Sequence, residues 1–327
     1  MQRRTGWLGA SADHMKSISV IICTHNPRID YLNRTLQALR NQTMSSNSWE
    51  LLLIDNASDP PVNTMCDLSW HPNARFVEEK KLGLTPTRLA GIREAAGQTI
   101  VFVDDDNVLM PDYLQTAADI REAYSFLGAW SGRVLPEFET APPAWIASYL
   151  PYLSLRDVTK SHWSNLYDSF QFLPTGAGMC VNQKVARKYL EDVEKDAVRV
   201  ALDRRGTELS SSGDFDLALT ACDLGFGTGV FKELCLTHLI PASRISSEYL
   251  LQIVEETAFS NAILQVRRSP DSKIRVSSKM RRLLGRLSRW LTLETHYRRI
   301  LEAEMRGRLK AKNVIERVTN VSPRFVA

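Results

Sequence analysis

The 327-residue chain has little that would suit it to life outside water or to oxidative cross-linking. Its longest apolar runs, such as Ile18 to Cys23 and Leu51 to Ile54, fall far short of the roughly 20 residues that cross a bilayer, which excludes a transmembrane helix. The five cysteines, Cys23, Cys66, Cys180, Cys222 and Cys235, show no CxxC and no paired short spacing, so neither a zinc site nor a disulfide framework is indicated. No GxGxxG follows the first apolar run and no GxxxxGK[ST] occurs anywhere, which argues against a dinucleotide enzyme and a P-loop NTPase. The start of the chain carries Arg3 and Arg4, but Thr5 to Ala12 is too short and too broken by Gly and Ser for a signal-peptide core. Residues 1–16 read as a poorly ordered leader, with Met15 an alternative start, and cytoplasmic residence is the default expectation.

What the chain does have is the makeup of a folded domain, 44% hydrophobic and 24% charged with seven Trp. The net charge of +4 conceals a division. Residues 265–327 hold 17 Lys/Arg against 5 Asp/Glu, so residues 1–264 hold 24 against 32, and a −8 body precedes a +12 tail.

Apolar runs and helical patterns alternate along the body. Ile18 to Cys23 is a β-branched strand that ends in Thr24-His25-Asn26-Pro27, and Tyr31, Leu32, Thr35, Leu36 and Leu39 recur at helical spacing. Trp49 to Ile54 is a second strand, ending in Asp55-Asn56-Ala57-Ser58, and Arg75 to Val77 a third. Thr85 to Ala96 is a helix closed by Gly97, and Thr99 to Val103 a fourth strand that runs into Asp104-Asp105-Asp106-Asn107. Near-continuous apolar strands between helices predict an α/β fold, its mostly parallel sheet flanked by helices, with ligands at the carboxyl ends of the strands. Polar clusters sit at those ends. Asx and Ser after a strand are also ordinary turn chemistry, but three consecutive aspartates repel one another unless a cation relieves them, and Mg²⁺ or Mn²⁺ shared with a substrate phosphate would do so.

The ordered set Val20 to Asn26, Leu39 to Gln42, Leu53 to Asp59, Leu82-Gly83 with Thr87-Arg88 and Ala90 to Ile92, Ala96-Gly97, Phe102 to Asn107 and Pro111 to Leu114 resembles the family 2 glycosyltransferases, which have the GT-A fold. The resemblance covers about residues 17–265. It implies an inverting, metal-dependent transfer of sugar from a nucleotide-diphosphate sugar, UDP-linked in the first instance, to the hydroxyl of a glycan or glycolipid acceptor. Surface polysaccharide assembly is the setting it suggests. By the same resemblance Thr24, Asn26, Asp55, Gly83 and Arg88 would lie in the nucleotide pocket, Asp55 accepting from the uracil ring. Asp104 would lie near the ribose and Asp106 would hold the metal, with Asp105 open between these roles. Asn56 stands where the family often has a second acid.

Residues 17–115 would form the nucleotide-binding half of a domain spanning 17–264, and 116–264 its acceptor half. Leu135 to Trp145 is Pro-rich and aromatic and reads as an irregular wall or lid. Phe172 to Val181 reads as a strand with two glycines, which either ease a bend or let a ligand approach the backbone. Ser210 to Leu217 leads into a helix from Asp216 to Leu224. Asp214 or Ser212 could be its cap, or Asp214, with Asp216 as the lesser alternative, could be the catalytic base that the resembled family places there, with Gly213 in place of the usual glutamate. His238 is either a structural histidine or a metal ligand beside Asp106, and Arg244 could pair with the diphosphate.

Residues 265–327 form a basic helical extension. Met280 to Leu291 sets apolar residues at helical spacing against four arginines, and Tyr297 to Lys312 is also basic. Such helices can lie on an anionic membrane surface, placing the protein peripherally on the inner face of the membrane, or pack on the domain or on a second copy. Nucleic acid is disfavoured, since no stacking platform accompanies the charge. Two rivals to a glycosyltransferase remain at this point. A nucleotidyltransferase would want a Gly-rich basic loop after the first strand, and a non-catalytic scaffold would have no need of both Asp104 to Asp106 and Asp214.

Overall fold

The computed structural model describes residues 17–166, 172–268 and 295–321. Residues 1–16 and the predicted helix from Met280 to Leu291 lie outside them. The elements run β1 (Ile18–Thr24), α1 (Ile29–Arg40), β2 (Trp49–Asp55), β3 (Ala74–Glu78), α2 (Leu84–Glu94), β4 (Thr99–Asp104), β5 (Asn107–Leu109), α3 (Tyr113–Ala123) and β6 (Leu127–Phe138). A 3₁₀ segment, Ala144–Leu153, precedes β7 (His162–Ser164), β8 (Cys180–Asn182), α4 (Gln183–Val193) and α5 (Ala197–Val200). There follow β9 (Asp203–Arg205), β10 (Glu208–Ser211), α6 (Gly213–Asp223), β11 (Gly227–Ile240), α7 (Ser247–Arg268) and α8 (Thr295–Val321).

The main sheet has the order β3-β2-β1-β4-β8-β6-β11-β5, with β7 added to β11. β3, β2, β1 and β4 are parallel neighbours, as are β6 and β11, while β8 joins the two groups by antiparallel pairing. The strands look uniformly apolar because both faces are covered. Ile18, Val20 and Ile22 enter the core under α1 and α3, while Ile21 enters the core that includes side chains of α2, α4 and α6; Val101 and Val103 divide from Ile100 and Phe102 in the same way.

Two sequence expectations are corrected here. Leu135 to Phe138 is the end of β6 and not loop, and Ala144 and Trp145 open the 3₁₀ segment. Pro136 is tolerated because Val134 exchanges both its backbone bonds with Arg156; two residues on, Pro136 faces the same way, off the β11 ladder, so its missing N–H breaks no pairing there. The Phe172 to Val181 stretch is strand only from Cys180, with turns before it and Gly178 at φ +68°. A Cβ at Gly178 would stand 2.3 Å from the Tyr113 hydroxyl, which donates to the Gly178 carbonyl at 2.7 Å.

α8, which contains the basic stretch Tyr297 to Lys312, packs along α7 and the 3₁₀ segment. Ile300 and Ala303 share a core with Tyr149, Leu153, Leu250 and Val254. Its cations meet acids of the body, Arg306 to Glu255 at 2.6 Å and Lys310 to Glu256 at 3.0 Å, so part of the charge division found in the sequence is complementarity between two packed helices. Trp145 stacks on His296 with ring centroids 4.7 Å apart, and the Tyr152 hydroxyl donates to Glu304 at 2.6 Å, which ties the wall segment to α8.

Candidate active site

A cavity of about 250 Å³ opens at the carboxyl ends of β1 and β4, and it collects most of the residues singled out in the sequence: Thr24, Gly83, Arg88, Asp104 to Asp106, Asp214, His238 and Arg244. The connection between β4 and β5 carries the aspartates. β5 pairs antiparallel with β11, setting Asn107 opposite His238, and the Leu239 N–H donates to the Asp106 carbonyl at 2.9 Å. Asp106 and His238, 132 positions apart in sequence, are thereby brought side by side.

The three aspartates have different surroundings. Asp105 accepts from the Thr24 hydroxyl, and burial together with the Asp106 charge pushes its carboxyl up to about 7. Burial and Asp106 likewise raise Asp104. Burial would raise Asp106 too, but His238 and Arg244 outweigh it and hold its carboxyl below the usual carboxylate range. Arg244 Nη1 lies 2.8 Å from Asp106 Oδ2 and 3.2 Å from His238 Nε2, and those two atoms are 3.4 Å apart. A carboxylate oxygen and an imidazole nitrogen thus converge on one cationic atom, while the buried His238 Nδ1 has no hydrogen-bond partner among the described residues.

Those donors suit a hard divalent cation in type, an oxygen and a nitrogen with a substrate phosphate to complete the shell. Among the described residues no three His, Cys, Asp or Glu side chains are grouped as a ready-made metal cage.

Across the cavity, Asp214 sits in the first turn of α6, which starts at Gly213, three residues earlier than its sequence pattern suggested. Its carboxylate accepts from the Gly176 N–H at 2.9 Å and from its neighbour Phe215 N–H at 2.8 Å. Burial, partly offset by Arg88, pushes it up to about 6. Asp216, two residues on, is fully buried and bound by Arg199 Nε at 2.7 Å and Arg268 Nη2 at 2.8 Å, which marks it as structural.

Two expected nucleotide contacts are not among the residues lining the cavity. Asp55 spends both oxygens on its own loop, accepting from Ser58 N–H at 3.0 Å and Val62 N–H at 2.9 Å. Asn26, at φ 48°, is exposed and its Oδ1 accepts from the Asp59 N–H. His25 and Asn56 line the cavity in their stead. Asn56 accepts from the Gly83 N–H at 2.8 Å and donates to the Glu79 and Lys81 carbonyls, fixing the loop that enters α2. Asn56, which looked like a departure in the sequence, is a loop-building residue.

The β9–β10 hairpin was missed altogether. It contributes Asp203, Arg204, Gly206 and Ser211 to the cavity, and its only sequence signal is Gly206 between two short polar strands. Arg88, expected beside the base, is bound by Asp203 at 2.8 Å.

Residues 19–178 match the family described as Glycosyl transferase family 2. This stretch belongs to glycosyl transferase family 2. Relatives of the domain include an uncharacterized glycosyltransferase, YwdF, of Bacillus subtilis, 30% identical over 110 residues, which are 34% of this chain and 40% of YwdF. The poly(ribitol-phosphate) β-N-acetylglucosaminyltransferase TarP of Staphylococcus aureus is 32% identical over 98 residues, 29% of this chain and 30% of TarP. The matches therefore span less than half of these relatives. A crystal structure of S. aureus TarS residues 1–349 in complex with UDP superposes with a TM-score of 0.50 at 14% identity, covering 93% of this chain and 91% of that one. The family 2 domain thus sits in a GT-A-type fold.

Proposed function

We propose that the protein is an inverting glycosyltransferase that moves a sugar from a UDP-sugar to a hydroxyl of a glycan or glycolipid acceptor, in surface polysaccharide or glycoconjugate assembly. The observation that carries this reading is the division of labour in one cavity: a convergent Asp106 and His238 on one side and a buried, backbone-oriented carboxylate, Asp214, on the other. Family membership and the names of the relatives support the transferase class, and UDP in the TarS complex supports the choice of nucleotide.

Asp214 is the base. Its two N–H donors fix the carboxylate, and a value near 6 lets it take a proton from an acceptor hydroxyl at neutral pH while remaining mostly ionised beforehand. Asp106 and His238 would hold Mn²⁺ or Mg²⁺, which supplies charge stabilisation for the departing diphosphate when bound. Arg244, already beside both, is placed to swing onto that diphosphate. Asp104 and Asp105 line the donor side, Asp105 anchored through Thr24.

The test is a panel of UDP-sugars with Mn²⁺, followed as UDP release by the wild-type protein and by Asp214→Asn. Release with one sugar that falls at least 100-fold in the variant, with UDP affinity retained, is the expected result. Equal release by both proteins would remove Asp214 from the role of base.

A further inference from the structure

The buried ion pair of Arg88 and Asp203 has no part in the mechanism above, yet both residues line the cavity and are at most 5% exposed. Asp203 is closely held. Its Oδ2 accepts from Arg88 Nη1 at 2.8 Å and from the Thr85 hydroxyl at 3.1 Å, and its Oδ1 accepts from the Gly213 N–H at 3.1 Å. Gly213 directly precedes Asp214. A Cβ there would lie 2.1 Å from Asp203 Oδ2, so the carboxylate from β9 fills the space that a side chain at the start of α6 would need.

Arg88 reaches Asp214 as well. A Cβ at Gly176 would stand 2.7 Å from Arg88 Nη2 and 3.5 Å from Asp214 Oδ2, which places guanidinium and carboxylate near each other in the space that a side chain there would occupy. The charged groups facing Asp214 are Arg88 from α2, Asp203 from β9 and Arg156, which is itself tied to the Leu173 carbonyl at 2.8 Å. A buried guanidinium requires an anionic partner, and one bonded directly to a carboxylate suppresses its basicity. Arg88 has two carboxylates in its neighbourhood, and it bonds Asp203.

We propose that Asp203 is a positioning residue for the transfer: by engaging Arg88 and the N–H of Gly213, it keeps Arg88 off Asp214 and leaves the Asp214 carboxylate free to accept the acceptor's proton. This rests on the reading of Asp214 as the base. It also accounts for Gly213, since a residue with a side chain there would expel the Asp203 carboxylate.

The full chain carrying ¹³C-labelled aspartate would be titrated by NMR, the Asp214 resonance being assigned by its loss in Asp214→Asn. Asp203→Asn is expected to lower the Asp214 midpoint by about 1 pH unit or more as Arg88 turns to it. The exchange variant, Asp203→Gly with Gly213→Glu, returns a carboxylate to the same space from the α6 side of the junction and is expected to restore the wild-type midpoint. Should Asp203→Asn fail to fold by circular dichroism, the exchange variant decides: a folded protein with a lowered midpoint overturns the inference. An unchanged midpoint in Asp203→Asn, with UDP release still abolished in Asp214→Asn, overturns the role of Asp203 and leaves the base assignment standing. Undiminished UDP release by Asp214→Asn overturns both.

Discussion

Replacing Asp214 with Asn should change stability in a way that depends on pH. In the unfolded chain the carboxyl has the ordinary value of 3.8, and in the folded protein it is raised to about 6. A carboxyl raised on folding contributes stability that is complete below its unfolded value and is lost as pH rises through its folded value. Two pH units at 1.36 kcal/mol each make the loss about 3 kcal/mol. Asn cannot ionise and so escapes it, but it accepts from only one of the Gly176 and Phe215 N–H groups and leaves the other unsatisfied, at about 1–3 kcal/mol. The variant is therefore expected to be less stable than wild type near about pH 4 and as stable or more stable near about pH 8, the difference moving by most of about 3 kcal/mol between them. Urea unfolding of both proteins across that range measures this directly, and other titrating groups cancel in the comparison. A difference that is flat with pH would refute the idea that burial penalises this carboxylate. Turnover by the wild type should run opposite to its stability, falling about tenfold for each pH unit below about 6.

Arg268→Ala should cost about 3 kcal/mol in urea unfolding, because it strips one of two guanidinium partners from the fully buried Asp216. Gly307→Ala should destabilise the protein by about 1–3 kcal/mol, the reverse of the usual helix preference, since its Cβ would stand 2.1 Å from the Glu255 carbonyl where α8 meets α7; thermal melting distinguishes the two signs. Asp106→Ala should lower calorimetric affinity for UDP at least tenfold with Mn²⁺ present and little without it, and equal affinities would argue against a metal role. Arg244→Ala should raise affinity for Mn²⁺ alone, because it removes the cation now lying between Asp106 and His238; an unchanged or weaker affinity would show that Arg244 does not compete there.

The strands and the triplet were legible because their signals are local. β1, β2 and β4 announce themselves through β-branched and apolar runs, and the chain direction of a parallel sheet delivers their carboxyl ends to one edge. The fate of individual polar residues was not legible at that level. Asp55 and Asn26 sit in positions that look ligand-facing, but their side chains satisfy N–H groups of neighbouring loops. Leu135 to Phe138 looked irregular because proline usually breaks strands, yet Pro136 is tolerated because the pairing of β6 with β8 stops at Trp130, a fact of sheet order.

By itself, then, the amino-acid order determined the strands and helices up to β4, that both faces of that sheet are covered, and that acidic residues gather at the strand ends, since each follows from propensity and periodicity within a few residues. Only the tertiary structure decided which carboxylates meet cations. Arg244 reaches Asp106 across 138 positions and Arg88 reaches Asp203 across 115, and such distances in sequence carry no periodic signal. The charge of −8 against +12 was visible from composition, but that part of it is spent between α7 and α8 depends on two helices lying side by side. Burial does the rest: it sets apart Asp106, Asp105 and Asp214, three chemically identical side chains, by what each finds within hydrogen-bond reach.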